Sequence, residues 1–305
     1  MNTLSHGLSW IDLGFRGRSN TIATVVVKGP AGAAIVDPGP TSCLGALDAG
    51  LQAHGVRWDE VRHILLTHIH LDHAGAVRTI VREHPGIAVL VHERGAKHMV
   101  DPTKLLDSAT RVYGDQMDVL WGEFAAVPQA SLVALTGGER IDAGGRAFDV
   151  AYTPGHASHH VSYFDASSGV AFVGDVAGVC TQDGYVLPPT PPPDIDVEMW
   201  RTSVERILAW SPSTLFLSHF GAVTRVRPHL AELLDHLEQF AGIVRESLAG
   251  PGTDDEKSER FAEWVRQELR HNMNDAHIDA YVVAAGFRYL WFGLARYWRK
   301  RLEIS

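Results

Sequence analysis

Apolar positions recur along the chain with two different periods, and the switches between them set the order of elements. Residues 8–15 read as a strand. Residues 22–28 are rich in β-branched side chains and stop at the turn signal Gly29-Pro30-Ala31-Gly32. Residues 33–36 form a short buried strand closed by Asp37-Pro38-Gly39-Pro40, which completes a β-meander. From 43 to 55 the period changes. Leu44, Leu47 and Leu51 recur at spacings of three and four, and Gly55 ends the helix they predict. Residues 61–67 return to an apolar strand, a helix runs to about Glu83 after Ala74-Gly75-Ala76, and 88–92 is the next strand. Strand, helix and strand in succession predict a layered α/β core.

Residues 101–127 break the rhythm and read as a helical excursion over that core. Strands resume at 131–135, 140–142, 147–153, 161–165 and 170–173, the last two separated by Ala166-Ser167-Ser168-Gly169. Five prolines within 187–193 forbid a helix or central strand there, so the segment must be a stiff extended loop. A helix at 198–210 and a strand at 214–218 follow. Beyond 228 the pattern is helical: 230–248, a linker-like stretch at 249–258, then 260–301. The division expected is therefore an α/β part at 1–228 and a helical part at 229–305.

Bulk properties narrow the function. The 305 residues carry a formal net charge of −9, so the chain has no overall attraction for nucleic acid or for an anionic membrane. No apolar run reaches the ~18 residues of a membrane span, and residues 1–20 lack a secretory signal pattern, which predicts a cytoplasmic location. The two cysteines, Cys43 and Cys180, have no paired spacing and read as reduced thiols. Histidine is in surplus at 17 residues, which makes metal ligation worth testing. His6, His54, His84, His98, His229, His236, His271 and His277 read as surface or helix-face residues, and His63 and His92 as packed strand residues.

The chemistry concentrates in His68-Ile69-His70-Leu71-Asp72-His73. Neutral imidazoles and a carboxylate are good ligands for first-row metals, but the run is too compact for one tetrahedral ion to use every member. Alternate residues of an extended segment face one way, so His68 and His70 can share one metal, while Asp72 and His73 lie past the turn and can face a second. Three further strand ends offer ligands: Thr153-Pro154-Gly155-His156, Val173-Gly174-Asp175 and Ser218-His219. Strand-to-loop junctions are where α/β enzymes place their chemistry.

In that order, with the acidic Asp37 after an early strand, these motifs resemble the metallo-β-lactamase fold superfamily over roughly residues 8 to 228. The resemblance implies a four-layer αββα sandwich, with the helical C-terminal extension added to it. It implies His68, His70 and His156 on a first metal, Asp72, His73 and His219 on a second, and Asp175 bridging both. It also implies Asp37 as the carboxylate that orients a ligand histidine. Of the pair His159 and His160, one is expected to bond backbone near the site, and His160 is the candidate for a supporting role. The Gly-Asp bridge is like that of the hydrolases allied to glyoxalase II and unlike the true β-lactamases that use a cysteine there. The runs Thr67 to Gly75 and Thr153 to His160 look like a poorly characterised prokaryotic branch, which implies fold and metals but no substrate. The ligand types suit two Zn²⁺ per chain, with Fe and Mn also compatible.

The activity implied is hydrolysis. Two ions ~3.5–4 Å apart hold and acidify a bridging water, and the hydroxide cleaves a small ester, thioester or lactone. Asp72 is the expected catalytic residue, orienting the attacking oxygen. Tyr113, Met117, Trp121 and Pro191 are candidates for the walls of a small-molecule pocket. A mononuclear-iron dioxygenase for thiols or persulfides would need only His68, His156 and Asp175, and the second set of ligands argues against it. A nuclease would carry a basic stripe that this acidic chain does not display. The aromatic run at 281–298 predicts packing on the core or at a homodimer interface rather than on a membrane.

Overall fold

The computed structural model describes residues 2–5, 7–181 and 184–302; His6 lies outside them. Among the described residues thirteen strands form two sheets. The first runs β1 (Asn2–Ser5), β2 (Leu8–Asp12), β3 (Ala23–Gly29), β4 (Gly32–Val36), β5 (Val61–Leu65), β6 (Ala88–His92) and β7 (Leu132–Leu135), each beside its chain neighbour. The meander β1–β4 is antiparallel and β4–β7 are parallel. The parallel pairs need crossovers. These are α1 (Leu44–Ala53), then α2 (Leu71–Ala74) and α3 (Val77–Glu83), then α4 (Glu93–Val100), α5 (Thr103–Tyr113) and α6 (Met117–Trp121).

The second sheet contains β8 (Arg140–Ala143), β9 (Arg146–Tyr152), β10 (Val161–Asp165), β11 (Val170–Phe172), β12 (Thr214–Leu217) and β13 (Gly221–Val223). Its pairings make β9, β11 and β12 run in one direction. Helix α7 (Val197–Ala209) precedes β12, and α8 (Val226–Ala249), α9 (Asp254–Arg270), α10 (Asp275–Ala285) and α11 (Phe287–Leu302) end the chain.

The alternation of side chains across each strand explains the layering. Val25, Val27, Val36, Leu65 and Leu90 of the first sheet meet Phe148, Tyr163, Phe172 and Phe216 of the second in a central core. Their chain neighbours Val26, Ile35, Ile64, Leu66, Val89 and Val91 face outward and pack with Leu47, Leu51, Val77 and Ile80 of the crossover helices. On the far side Ala171, Leu215 and Leu217 pack under Trp200, Leu233, Leu237 and Trp291. The result is the expected αββα sandwich with a helical C-terminal extension.

The strand expected at 8–15 stops at Asp12, and the edge strands β1 and β13 and the helices α2 and α4 were not expected. The C-terminal run is three helices rather than one. Helix α9 begins inside the stretch read as a linker, because Thr253 and Glu256 form a reciprocal capping box there. Asn274 caps α10, and Gly286 in the left-handed region (φ +56°) separates α10 from α11. His229 is not a surface residue. It is buried on α8, and its Nε2 lies 2.7 Å from the Ala177 carbonyl. The aromatic tail is core: Tyr281, Trp291 and Leu294 are fully buried. Among the described residues no helix is long and apolar enough to cross a membrane.

Candidate metal centre

Asp37 and every expected metal donor lie past the C-terminal end of a strand, in the loop or turn that follows it. Asp37 follows β4, His68 and His70 follow β5, and Asp72 and His73 occupy the first turn of α2. His156 follows β9, Asp175 sits in a single turn after β11, and His219 follows β12. Two glycines make these turns possible. Gly174 has φ +46°, and a Cβ there would stand 2.5 Å from Thr67 Oγ1 and 2.8 Å from His160 Nε2. Gly155 has φ +138°, and a Cβ would meet the backbone of Trp200 at 2.4 Å.

The structure brings seven donors together. His68, His70 and His156 form one cluster, Asp72, His73 and His219 a second, and His68, His73 and Asp175 a third between them, each with its ligating atoms within 4.8 Å. Asp175 faces both ends. Its Oδ2 lies 3.4 Å from His156 Nε2, while its Oδ1 lies 3.2 Å from His73 Nε2 and 3.6 Å from His219 Nε2. Asp72 Oδ2 is 3.2 Å from His219 Nε2 and 3.7 Å from His73 Nε2.

The hydrogen-bond partners behind the rings fix their tautomers. His156 Nδ1 donates to the Pro189 carbonyl at 2.8 Å and His219 Nδ1 to the Thr21 carbonyl at 2.6 Å. His73 Nδ1 faces Asp37 Oδ2 at 3.0 Å. Thr67 Oγ1 gives its proton to Asp37 Oδ2 at 2.7 Å, so towards His68 Nδ1, 3.1 Å away, it can only accept. In their neutral form all four rings therefore carry hydrogen on Nδ1 and present the Nε2 lone pair to the interior. His68 Nε2 and His156 Nε2 both stand 3.0 Å from His70 Nδ1, and one hydrogen on that atom cannot serve two lone pairs well. His73 Nε2, His219 Nε2 and Asp175 Oδ1 are buried without a hydrogen-bond partner among the described residues. Each such atom costs ~1–3 kcal/mol, and a divalent cation removes that penalty at all of them together. The donor set fits such ions.

The electrostatics divide the site in two. Burial pushes His70 down to about 4, with His156 adding to the effect, and it pushes His68 well down with His73 and His70. Burial would lower His73 too, but the Asp175, Asp72 and Asp37 carboxylates outweigh it and hold this ring well above its ordinary value. His219 is raised against its burial by Asp175 and Asp72. Burial would raise the carboxyls of Asp72 and Asp175, and the neighbouring imidazoles hold both low instead.

Behind the donors, Asp37 is the hub. It accepts from Thr67 N–H (2.8 Å), Thr67 Oγ1, Ser218 Oγ (2.9 Å) and His73 Nδ1. Thr67 and Ser218 were not singled out in the sequence, although each precedes a donor histidine in the quoted motifs. His160 stacks on His68 with centroids 5.1 Å apart, and its Nδ1 is 3.0 Å from Thr153 Oγ1. His159 is the one of the pair that meets backbone, accepting from Ile69 N–H at 3.4 Å.

Above the donors opens a cavity of about 780 Å³. His70, Asp72, His156, Asp175 and His219 form its floor, and Tyr113, Trp121 and Pro191 are among its walls. Tyr113 packs edge-on against both Trp121 and Tyr289, and burial pushes its phenol up, so it stays neutral. Met117 does not line the cavity. It points from α6 into the core beside Trp121 and Leu120.

A two-sheet αββα sandwich with imidazole and carboxylate donors converging at its strand ends defines a metal-binding hydrolase fold. The chain belongs to the metallo-beta-lactamase superfamily, whose family model matches residues 17–219. It is 34% identical over 185 residues to the metallo-beta-lactamase fold-containing protein ST1585 of Sulfurisphaera tokodaii, spanning 60% of this chain and 67% of that one. The ST1585 crystal structure, from Sulfolobus tokodaii, superposes with a TM-score of 0.65 at 25% identity, over 94% of this chain and 98% of the other. A hydroxyacylglutathione hydrolase of Synechococcus sp. (strain JA-2-3B'a(2-13)) is 26% identical over 259 residues, 83% of this chain and 88% of its own length. The TTHA1429 structure from Thermus thermophilus shares the fold, with a TM-score of 0.74 at 21% identity over 99% and 96% of the two chains.

Proposed function

We propose that this chain is a dinuclear metallo-hydrolase that cleaves a small ester, thioester or lactone, with Zn²⁺ as its metal. The observation that carries this reading is the position of Asp175, whose two oxygens face different histidine clusters. His68, His70 and His156 would hold one ion, and Asp72, His73 and His219 the other, with Asp175 shared. Bound there, the cations supply Lewis acidity and lower the pKa of water towards 7, which makes a nucleophile available at neutral pH. The protein does the rest. The Nδ1–H bonds to Asp37, Thr21, Pro189 and Thr67 keep the Nε2 lone pairs aimed inward. Asp72, 18% exposed where the other donors of its cluster are buried, reaches the cavity floor and can orient the attacking oxygen as well as ligate. Likeness to the hydroxyacylglutathione hydrolases supports thioesters within the substrate range.

Metal quantification paired with a panel of esters, thioesters and lactones tests the reading, with His68→Ala as the blank. The expected result is two Zn²⁺ per chain and turnover that chelation abolishes and Zn²⁺ restores. One Fe and no Zn per chain, or activity retained in the blank, would overturn it.

A further inference from the structure

The cavity over the metal centre carries the opposite charge to the protein. The chain is −9 overall, yet Arg16, Arg94, Lys97, Lys104 and Arg111 all line this one cavity. The carboxylates that share it are Asp72 and Asp175 of the donor set and Asp194, which accepts a hydrogen bond from Ser158 at 2.5 Å. Spacing makes the cationic wall a continuous face. On α4, Arg94, Lys97 and His98 are one turn apart; on α5, Lys104, Ser108 and Arg111 repeat by four and three, and all six line the cavity.

Lys104 and His98 lie near enough to Asp101 to help lower its carboxyl, but none of the five cations has a salt-bridge partner among the described residues. Elsewhere in the molecule arginines sit on carboxylates: Arg82 on Glu123 at 2.9 Å, Arg201 on Glu238 at 3.0 Å and Arg299 on Asp254 at 2.6 Å. Among the described residues no carboxylate lies within ion-pair distance of Arg16, Arg94, Lys97, Lys104 or Arg111. Arg94 stacks over Tyr152 at 5.6 Å, which leaves its charge in place. Asp101, the acid in the α4–α5 connection, is turned to the amide and hydroxyl of Thr103. The rest of the lining includes an apolar part, with Trp121 stacked on Phe15 at 5.5 Å and residues 282–285 of α10. All five cations are exposed, so they stand at the cavity's mouth, and like charges gathered around one opening raise the local concentration of anions.

We propose that the molecule processed here carries at least two negative charges away from its scissile carbonyl. Arg94 and Lys97 of α4 and Lys104 and Arg111 of α5 grip them, while its apolar part rests on Trp121. The scissile carbonyl rests on the hydrolase reading above; the anion site does not. Phosphates and paired carboxylates share the chemistry required.

Calorimetry on the metal-loaded chain tests the site with naphthalene-1,5-disulfonate, a dianion with little affinity for metals. The neutral 1,5-bis(N,N-dimethylsulfonamide), which has no N–H to lose to a metal, is the comparison. The dianion should bind about tenfold more tightly or better, and should weaken as salt rises from about 50 to about 300 mM. The preference should collapse in Arg94→Gln/Lys104→Gln and in Lys97→Gln/Arg111→Gln, but not in Arg227→Gln, which removes an exposed charge on α8 outside the cavity. Equal binding of the two probes, or a preference that survives in both double variants, would overturn the site. Ester pairs with a neutral, bisphosphate or dicarboxylate tail then read the substrate half. The kcat/KM ratio of a charged tail over the neutral one should exceed about ten and fall in the double variants, and the better charged tail identifies the source. A neutral tail preferred or equal would overturn that half. No turnover of any ester with disulfonate binding intact would sink the hydrolase reading and leave the anion site standing.

Discussion

The floor and the walls of the cavity are built on different principles. The floor and the side chains beneath it stand past strand ends or in the first turn of α2, and a single acceptor behind each of His68, His73, His156 and His219 fixes its tautomer. The walls come from α4–α6, the proline segment, and α10–α11 near the far end of the chain. They are held by packing such as Trp121 on Phe15 and by the Tyr289 hydroxyl on the Val112 carbonyl at 3.0 Å. The floor tolerates little change, because its parts are buried, charged and mutually dependent. The walls are half-exposed and modular. On the proposed hydrolase reading, chemistry belongs to the floor and selectivity to the walls.

Substitutions ranked by expected effect can break that division. Asp175→Asn strikes the shared donor and should lower kcat/KM by roughly 10²–10³-fold, with bound metal per chain falling by mass spectrometry. Asp37→Ala touches neither substrate nor cavity, yet it strips Thr67, Ser218 and His73 of their acceptor. Metal affinity measured by competition with a chelator should drop ~10–100-fold. If Asp37→Ala binds metal normally, the parts of the floor are independent of one another and the division fails.

Wall substitutions should be milder and should appear in KM. Trp121→Leu shortens the apolar wall and should raise KM by roughly tenfold while kcat changes little. Pro191→Ala should change KM by less than about threefold, since the neighbouring prolines keep the segment extended. Met117→Ala should leave KM untouched and lower stability by about 1–2 kcal/mol in urea unfolding, because this half-buried side chain packs in the core. A KM effect at Met117 equal to that at Trp121 would erase the boundary between wall and core.

Much of this molecule was legible without coordinates. The short apolar, β-branched runs of 22–28, 33–36, 61–67 and 88–92 located the central strands, since a strand buried on both faces reads as a nearly continuous apolar run. The donors were legible because a metal demands rare residue types at strand ends, and His68, His70, Asp72 and His73 lie within one short run. The capping box at Thr253 and Glu256 was equally visible and would have started α9 in the right place. Short edge strands such as β13 carry too few residues to announce a period.

What the sequence by itself determined, then, is the layered core and the seven imidazole and carboxylate side chains that converge past its strand ends, because apolar patterning and rare residue types at the ends of strands are written in short stretches of chain. What only the tertiary structure decided is which atoms meet. Asp175 turned its two oxygens to different clusters, and the Thr21 and Pro189 carbonyls became the acceptors that aim His219 and His156. Met117 turned inward while Trp121 faced the cavity, and five cations from the turn after β2, α4 and α5 came to line one space. Backbone carbonyls are the same at every position, and charges on separate elements add only when packing places them together, so no local pattern could have foretold either.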